Sequence, residues 1–287
     1  MKVISLLCPT RARPALFKRM CQSILNSTSE LSALELIVYV DDDDMQASEV
    51  DLCGIPGEKI VGPSAPMSII NQTCLDHAKG DIIILMNDDV VMRTPGWDKI
   101  LRDSITLFSD DIYLAYPNDL FKKDKLGTFP VLSKKVCDIL ITPFPVPYTG
   151  NFIDTHLFDI FQRLKKQGFD RMRYLPDVVF EHMHYRSGKG ALDATYKARR
   201  RFGGDDLRFV ELSDQRHSAA KRLAEAMRQE PVSTMLSHQE IIRVDTFWCA
   251  LKHYWRVFAR NKDLPLRWRT WLFTHFLARY WAGKLFD

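Results

Sequence analysis

Residues 70–90 read INQTCLDHAKGDIIILMNDDV, and their order is that of a helix, a stop and a buried strand. The stretch from Ala65 to Gly80 carries helix-compatible residues and is expected to end at Gly80. Ile82 to Met86 form an uninterrupted apolar run bounded by polar residues, the pattern of a strand covered on both faces. Asn87, Asp88 and Asp89 follow at once. Two adjacent carboxylates at the end of a buried strand repel each other and resist desolvation, so their placement calls for a partner.

Working outward, KVISLLC (2–8) reads as another buried strand, PTRARP (9–14) as a loop, and residues 14–30 as a helix. LELIVYV (34–40) is a strand that runs into Asp41–Asp44, and EKIVGP (58–63) is a short further strand. Strands alternating with helices predict an α/β fold with a mostly parallel, Rossmann-like central sheet flanked by helices. Farther on, IYLAYP (112–117) reads as a strand, TPFPVPYTG (142–150) as a proline-rich loop and DTHLFDIFQRLKKQG (154–168) as a helix. MRYLPDVVFEHMHY (172–185) reads as a strand, and residues 190–229 as charged helix broken at Gly203–Gly204. A boundary is placed near Pro231, dividing a catalytic domain (1–230) from a helical basic, aromatic tail (231–287).

The 287 residues, 46% hydrophobic and 26% charged, suffice for a large domain with a substantial core and argue against disorder. The first residues lack the pattern of a secretory signal, and no uncharged run reaches the roughly 20 residues that span a bilayer. The six cysteines are scattered without CxxC or zinc spacing, which fits reduced thiols in a cytoplasmic setting. Residues 243–287 hold nine Lys/Arg against three Asp/Glu, whereas the rest holds 31 against 33, so the basic excess lies in the tail. That asymmetry points to an anionic partner, a membrane surface or nucleic acid.

Ligands of open α/β sheets bind beyond the carboxyl ends of the strands. Asp41 and Asp43 stand at one such end, Asp88 and Asp89 at another, and Pro9, Thr10, Arg11 and Arg13 follow a third. If these strands are neighbours, the groups converge on one crevice, where carboxylates suit Mn²⁺ or Mg²⁺ holding a diphosphate. The competing reading, that Asp88 and Asp89 only end the strand in a turn, is weaker because several features agree.

In this order, VISLLCPTRARP, LIVYVDDDD and INQTCLDHAKGDIIILMNDDV resemble family-two glycosyltransferases with the GT-A fold, of the bacterial or phage surface-glycan type. The likeness covers roughly residues 1–205, with NDD standing where that family carries its DxD motif. It implies that Asp89 is a metal ligand and that Asp88 lies beside the ribose and metal. Pro9, Thr10, Arg11 and Asp41 would bound the nucleoside pocket, with Arg13, Asp43, Asn71 and Asn87 completing the donor side. Asn87 replaces the motif's first Asp; it can bond a ribose hydroxyl but is a poorer metal ligand. No GxGxxG follows the first strand and no P-loop pattern occurs, so dinucleotide and P-loop chemistry lack support.

Asp154, at a helix start, is expected either to cap the helix or to act as the general base of an inverting sugar transfer, with Asp159 the runner-up. The resemblance favours the base. His182 and His184 alternate on a strand and so share a side, and either could complete the metal site. Arg186 and Lys189, in the loop that follows, suit a departing diphosphate; Tyr196 and 199–201 could extend that surface.

Residues 263–286 carry apolar side chains at helical spacing beside Arg267, Arg269, Arg279 and Lys284. Three readings stay open: an interfacial helix on anionic lipid, a stripe packed against the catalytic domain, or aromatics beside Arg that stack nucleic-acid bases. Together the residues predict a cytoplasmic, nucleotide-sugar-dependent glycosyltransferase, peripheral on the inner face of the membrane. A membrane-associated glycan or lipid-linked acceptor is expected, as in lipopolysaccharide, O-antigen or capsule synthesis. A transferase acting on modified phage DNA, or an inactive scaffold, are the alternatives.

Overall fold

A computed structural model describes residues 1–146, 148–190, 204–234 and 244–286, without the side chains of 285 and 286. The strands are β1 (Ile4–Thr10), β2 (Leu34–Asp41), β3 (Gly57–Gly62), β4 (Ile82–Leu85), β5 (Val90–Met92), β6 (Leu114–Asn118), β7 (Val131–Ser133) and β8 (Met172–His182). They form one eight-stranded sheet in the order β3-β2-β1-β4-β7-β6-β8-β5. The helices are α1 (Pro14–Ser27), α2 (Met67–His77), α3 (Trp97–Ile105), α4 (Lys134–Leu140), α5 (Ile153–Lys166), α6 (Asp205–Glu211), α7 (Ser213–Met227), α8 (Phe247–Tyr254) and α9 (Leu266–Phe286).

The expected parallel core is present: β1 lies between β2 and β4 and is parallel to both, and β3 adds parallel to β2. The sheet as a whole is nevertheless mixed, which corrects the mostly parallel expectation. β7 runs antiparallel to β4 and β6, and β5 runs antiparallel to β8, while β6 and β8 are parallel. β5 and β7 have three residues each. That is too short for alternation to register, and their pairing is set by distant partners rather than local pattern.

Alternation sends the two faces of β1 into two layers. Leu6 and Cys8 pack with Phe17 and Met20 of α1 and with Leu101 of α3. Leu7 packs in the opposite layer with Ile70 of α2 and Leu157 of α5. Both layers need apolar cover, which explains the uninterrupted hydrophobic runs. Gly80 does not end α2 as a left-handed cap; the helix stops at His77. Gly80 is needed for close approach, since a Cβ there would lie 2.8 Å from the Val3 carbonyl oxygen and 2.9 Å from the Ser5 nitrogen.

The tail packs on the sheet-bearing part of the chain. Leu264, Trp268, Leu272 and Phe276 belong to the same apolar layer as Leu157 and Ile70. Trp268 Nε1 also donates to Asp159 Oδ1 at 2.7 Å, deep in the protein. Arg163 and Arg216 bind the same carboxylate at 2.8 and 2.7 Å. Burial alone would raise the Asp159 carboxyl, but these two guanidiniums outweigh it and hold the group at about 2. Trp268→Phe removes a bond to an ionised acceptor and should lower unfolding free energy by about 2 kcal/mol. Urea denaturation followed by circular dichroism measures it; an unchanged midpoint would remove Asp159 as the anchor of the tail. No helix among the described residues is long and apolar enough to cross a membrane.

Candidate active site

Parallel pairing places the carboxyl ends of β1, β2 and β4 along one sheet edge. A cleft of about 270 Å³ opens there. Its walls come from the loop after β1 (Pro9, Arg11, Arg13), from Asn71 of α2 and from Asn87, Asp88 and Asp89 after β4. Asp154 at the start of α5 and His182, His184 and Arg186 at the end of β8 complete it.

Asp88 joins two of these elements. Thr10 Oγ1 donates to one carboxylate oxygen at 2.9 Å and Arg13 Nη1 to the other at 3.0 Å. Burial raises its pKa to about 6 against the pull of Arg13, and the neighbouring Asp89 adds to the rise. Both oxygens of Asp88 thus tie the β1 loop to the end of β4. Arg11 lines the cleft and pairs with Asp41 and with Asp43, the latter at 2.9 Å through Nη2. Asp41 and Asp43 are not wall residues themselves; they reach the cleft through Arg11. Ala12, at a φ of 53°, donates its N–H to Asp44 at 2.7 Å, which fixes the loop between the two arginines.

Asp89 is 1% exposed. The antiparallel pairing of β5 with β8 sets Val90 opposite His182, and the Met183 N–H donates to the Asp89 carbonyl at 2.9 Å. His182 Nε2 consequently lies 3.4 Å from Asp89 Oδ1. Neither ring nitrogen of this buried histidine has a hydrogen bond among the described residues. His184 differs: its Nδ1 accepts from the Arg186 N–H at 3.1 Å. Burial, with His182 adding, lowers its pKa to about 4, so it is a neutral ring at neutral pH. Among the described residues no group of three His, Cys, Asp or Glu is arranged to hold a metal ion.

Asp154 lies in the first turn of α5, whose N-cap is Phe152; its carboxylate accepts from the Thr155 N–H at 2.6 Å and Oγ1 at 3.1 Å. Asp154 is therefore not the N-cap residue itself, but its carboxylate does satisfy one first-turn N–H of α5. Burial raises its pKa, while Thr155, Lys122 and His182 oppose the rise. Asp159 lies one turn on but in the buried arginine cluster, away from the cleft wall. Lys189 pairs with Glu181 at 2.6 Å and is not a wall residue, whereas Arg186 is. Tyr196 and 199–201 lie outside the described residues.

Several wall features had no signal in the sequence. Gly150, Asn151 and Phe152 line the cleft. Asp205 holds that segment, accepting from Thr149 N–H (2.8 Å) and Oγ1 (2.9 Å), Gly150 N–H (2.9 Å) and Asn151 N–H (2.7 Å). Phe152 has a φ of 69°, a costly conformation for a side chain with a Cβ. Its surroundings enforce it: Phe276 of α9 and Phe209 of α6 pack on its ring at 5.2 and 5.8 Å, with Arg279 5.3 Å above it. Behind the wall residues Thr128 and His184, Asp119 accepts from the N–H groups of Phe121, Lys122 and Lys123 and from Thr128, and Phe121 stacks on His184 at 6.0 Å. Asp119 is a loop carboxylate whose partners lie two to nine residues on, and Asp205 opens α6 with its partners 54 to 56 residues back; only those bonds distinguish them from solvated acids.

No protein-family model matches the chain, and no curated protein matches it by sequence. Solved structures do. The mannosyltransferase PcManGT from Pyrobaculum calidifontis, in complex with GDP-Man and Mn²⁺, superposes with a TM-score of 0.53 at 15% identity, covering 100% of this chain and 88% of that one. TarS of S. aureus superposes with a TM-score of 0.51 at 10% identity, covering 98% of this chain and 54% of that one. TarS residues 1–349, in complex with UDP-GlcNAc, gives a TM-score of 0.51 at 10% identity, covering 97% and 89%. The chain has a glycosyltransferase fold.

Proposed function

We propose that the protein is a GT-A glycosyltransferase that moves a sugar from a nucleotide diphosphate to an acceptor hydroxyl with inversion. The observation that carries this reading is the Asp89–His182 pair, 3.4 Å apart, on the wall of the cleft that Asp154 also lines. A buried imidazole without a hydrogen bond, beside a buried carboxylate, fits a cation site. Ions bound with phosphates commonly take only one or two carboxylates from the protein, the phosphates and water supplying the rest. Two protein ligands therefore suffice, and His182 suits the role better than His184, whose Nδ1 is engaged. Mn²⁺ or Mg²⁺ bound there would neutralise charge on the departing diphosphate.

Asp154 would take the proton of the acceptor hydroxyl as that oxygen attacks the anomeric carbon. The bond from that carbon to the diphosphate oxygen breaks on the opposite side, and the electron pair leaves with the diphosphate. Arg186, on the cleft wall, would meet that charge with its cation. Arg11 and Arg13, anchored by Asp41, Asp43 and Asp88, would hold the nucleoside side with Pro9, Asn71 and Asn87. Lys189, paired with Glu181, would take part only on release from it.

A UDP-sugar is the first candidate and a GDP-sugar the second, as the neighbours were solved with UDP-GlcNAc and GDP-Man. The acceptor in this reading is a membrane-associated or lipid-linked glycan, of the lipopolysaccharide, O-antigen or capsule kind, met at the cytoplasmic face. Titration calorimetry with UDP and GDP, with and without Mn²⁺, tests the donor site. One nucleotide should bind with metal and at least about tenfold more weakly without it. Binding of neither would leave an inactive scaffold as the better description.

A further inference from the structure

The apolar stripe of α9 is turned inward, yet a second set of aromatic rings stays outside. Trp248, Trp255 and Trp281 are 73%, 52% and 48% exposed. Tryptophan is highly buried on average, so three such rings in one substructure demand a reason. Trp97, in the core, shows the ordinary behaviour at 0%.

The three rings belong to one helical hairpin. Phe247 packs on Trp281 at 4.9 Å and Trp255 on Phe273 at 5.6 Å, so α8 and the π-helical turn after it (Trp255–Ala259) run antiparallel to α9. Trp248 and Trp255 are seven residues apart, two turns, and so lie on one side. Lys252 and Arg256 stand beside them and Lys284 beside Trp281, all exposed. The inner face of α9 is fixed by Trp268, Leu272 and Phe276. The outer rings are thus held on a rigid support whose other side, through Phe276 and Phe152, forms the cleft wall.

We infer that this outer face of the α8–α9 hairpin docks on an anionic lipid bilayer. Indole rings combine apolar area with an N–H donor and suit the headgroup level, where Lys and Arg meet lipid phosphates. The charge argues against a second copy of the chain. A two-fold self-contact would bring the Lys252–Arg256 rim close to its own image. The docking proposed is of this face on the bilayer surface, and no helix among the described residues is long and apolar enough to cross a membrane. This surface is independent of donor chemistry, because vesicle binding is read without nucleotide sugar.

The test is sedimentation of the full chain with phosphatidylcholine vesicles, with and without phosphatidylglycerol, and with the tryptophan emission recorded. Binding should require phosphatidylglycerol, weaken with added salt and shift the emission to the blue. Lys252→Gln with Arg256→Gln should weaken it about fivefold per charge removed. Trp248→Ala with Trp255→Ala should weaken it at least about tenfold while far-ultraviolet dichroism and nucleotide binding stay unchanged. Failure of the unaltered protein to bind anionic vesicles overturns the inference, as does undiminished binding by both double variants. Two other results also overturn it: a concentration-dependent dimer lost in the tryptophan variant, or binding to DNA but not to vesicles lost in the lysine–arginine variant. Loss of nucleotide binding in calorimetry, with vesicle binding intact, would count against the proposed activity and leave the docking surface standing.

Discussion

Asp89→Ala should abolish donor turnover, lowering kcat/KM at least about 100-fold, while the fold survives. The carboxylate is 1% exposed and its Oδ1 lies 3.4 Å from His182 Nε2. In the proposed site these are the protein's two contributions to a cation that meets the diphosphate, and losing one halves the set. Metal-dependent hydrolysis of nucleotide sugars provides the measurement, with Asp89→Asn alongside to keep the side-chain volume. Asn should fail nearly as badly, because it lacks the charge. Removal of metal by a chelator should reproduce the defect in the unaltered protein and add little to the variant. Full turnover by either variant would remove Asp89 from the metal assignment.

Asp154→Asn should leave donor and metal binding intact and cost about 10²–10⁴ in the rate of transfer, the range that general-base catalysis supplies. Asn cannot accept a proton at neutral pH but can still accept the bond from the Thr155 N–H, so the first turn of α5 should not change. The pH profile separates this role from a structural one. Burial raises the Asp154 pKa, so the working, ionised form is lost as the pH falls through that raised value, at a higher pH than for an ordinary aspartate. The acid limb of kcat/KM should therefore be displaced upward, and it should vanish from the residual activity of the variant. Transfer at the unaltered rate by Asp154→Asn would exclude it as the base; Asp159, fixed by Arg163, Arg216 and Trp268, would not replace it.

The two expectations have different origins in the sequence. Asp88 and Asp89 were legible because an apolar run such as Ile82–Met86 has one structural meaning, and acids at its end stand out against it. His182 and His184 were legible as a pair on one side of a strand. The preference for His182 in the proposed site was not, because it rests on the bond from the Arg186 N–H to His184 Nδ1 and on the short strand β5, which brings Asp89 to His182. Asp41 and Asp43 were expected at the ligand; the fold interposes Arg11 between them and the cleft. Asp154 could be named, but its place two residues inside the helix could not, since Phe152 takes the N-cap position with a positive φ under Phe209, Phe276 and Arg279.

What the sequence determined by itself was whatever rests on local periodicity. That covers the parallel β1, β2, β3 and β4, the helices between them, and the carboxyl-end edge where Pro9–Arg13, Asp41–Asp43 and Asn87–Asp89 gather. Apolar runs and their terminators encode these elements within a few residues. Only tertiary structure decided the antiparallel strands that make the sheet mixed, the loops held by Asp119 and Asp205, and the division of the tail into an inward stripe and an outward tryptophan face. All but the Asp119 loop depend on partners tens to hundreds of residues away; Asp119 bonds groups two to nine residues on, a turn that periodicity does not show. A three-residue strand or a lone loop aspartate carries no periodic signal until the chain has brought its partner to it.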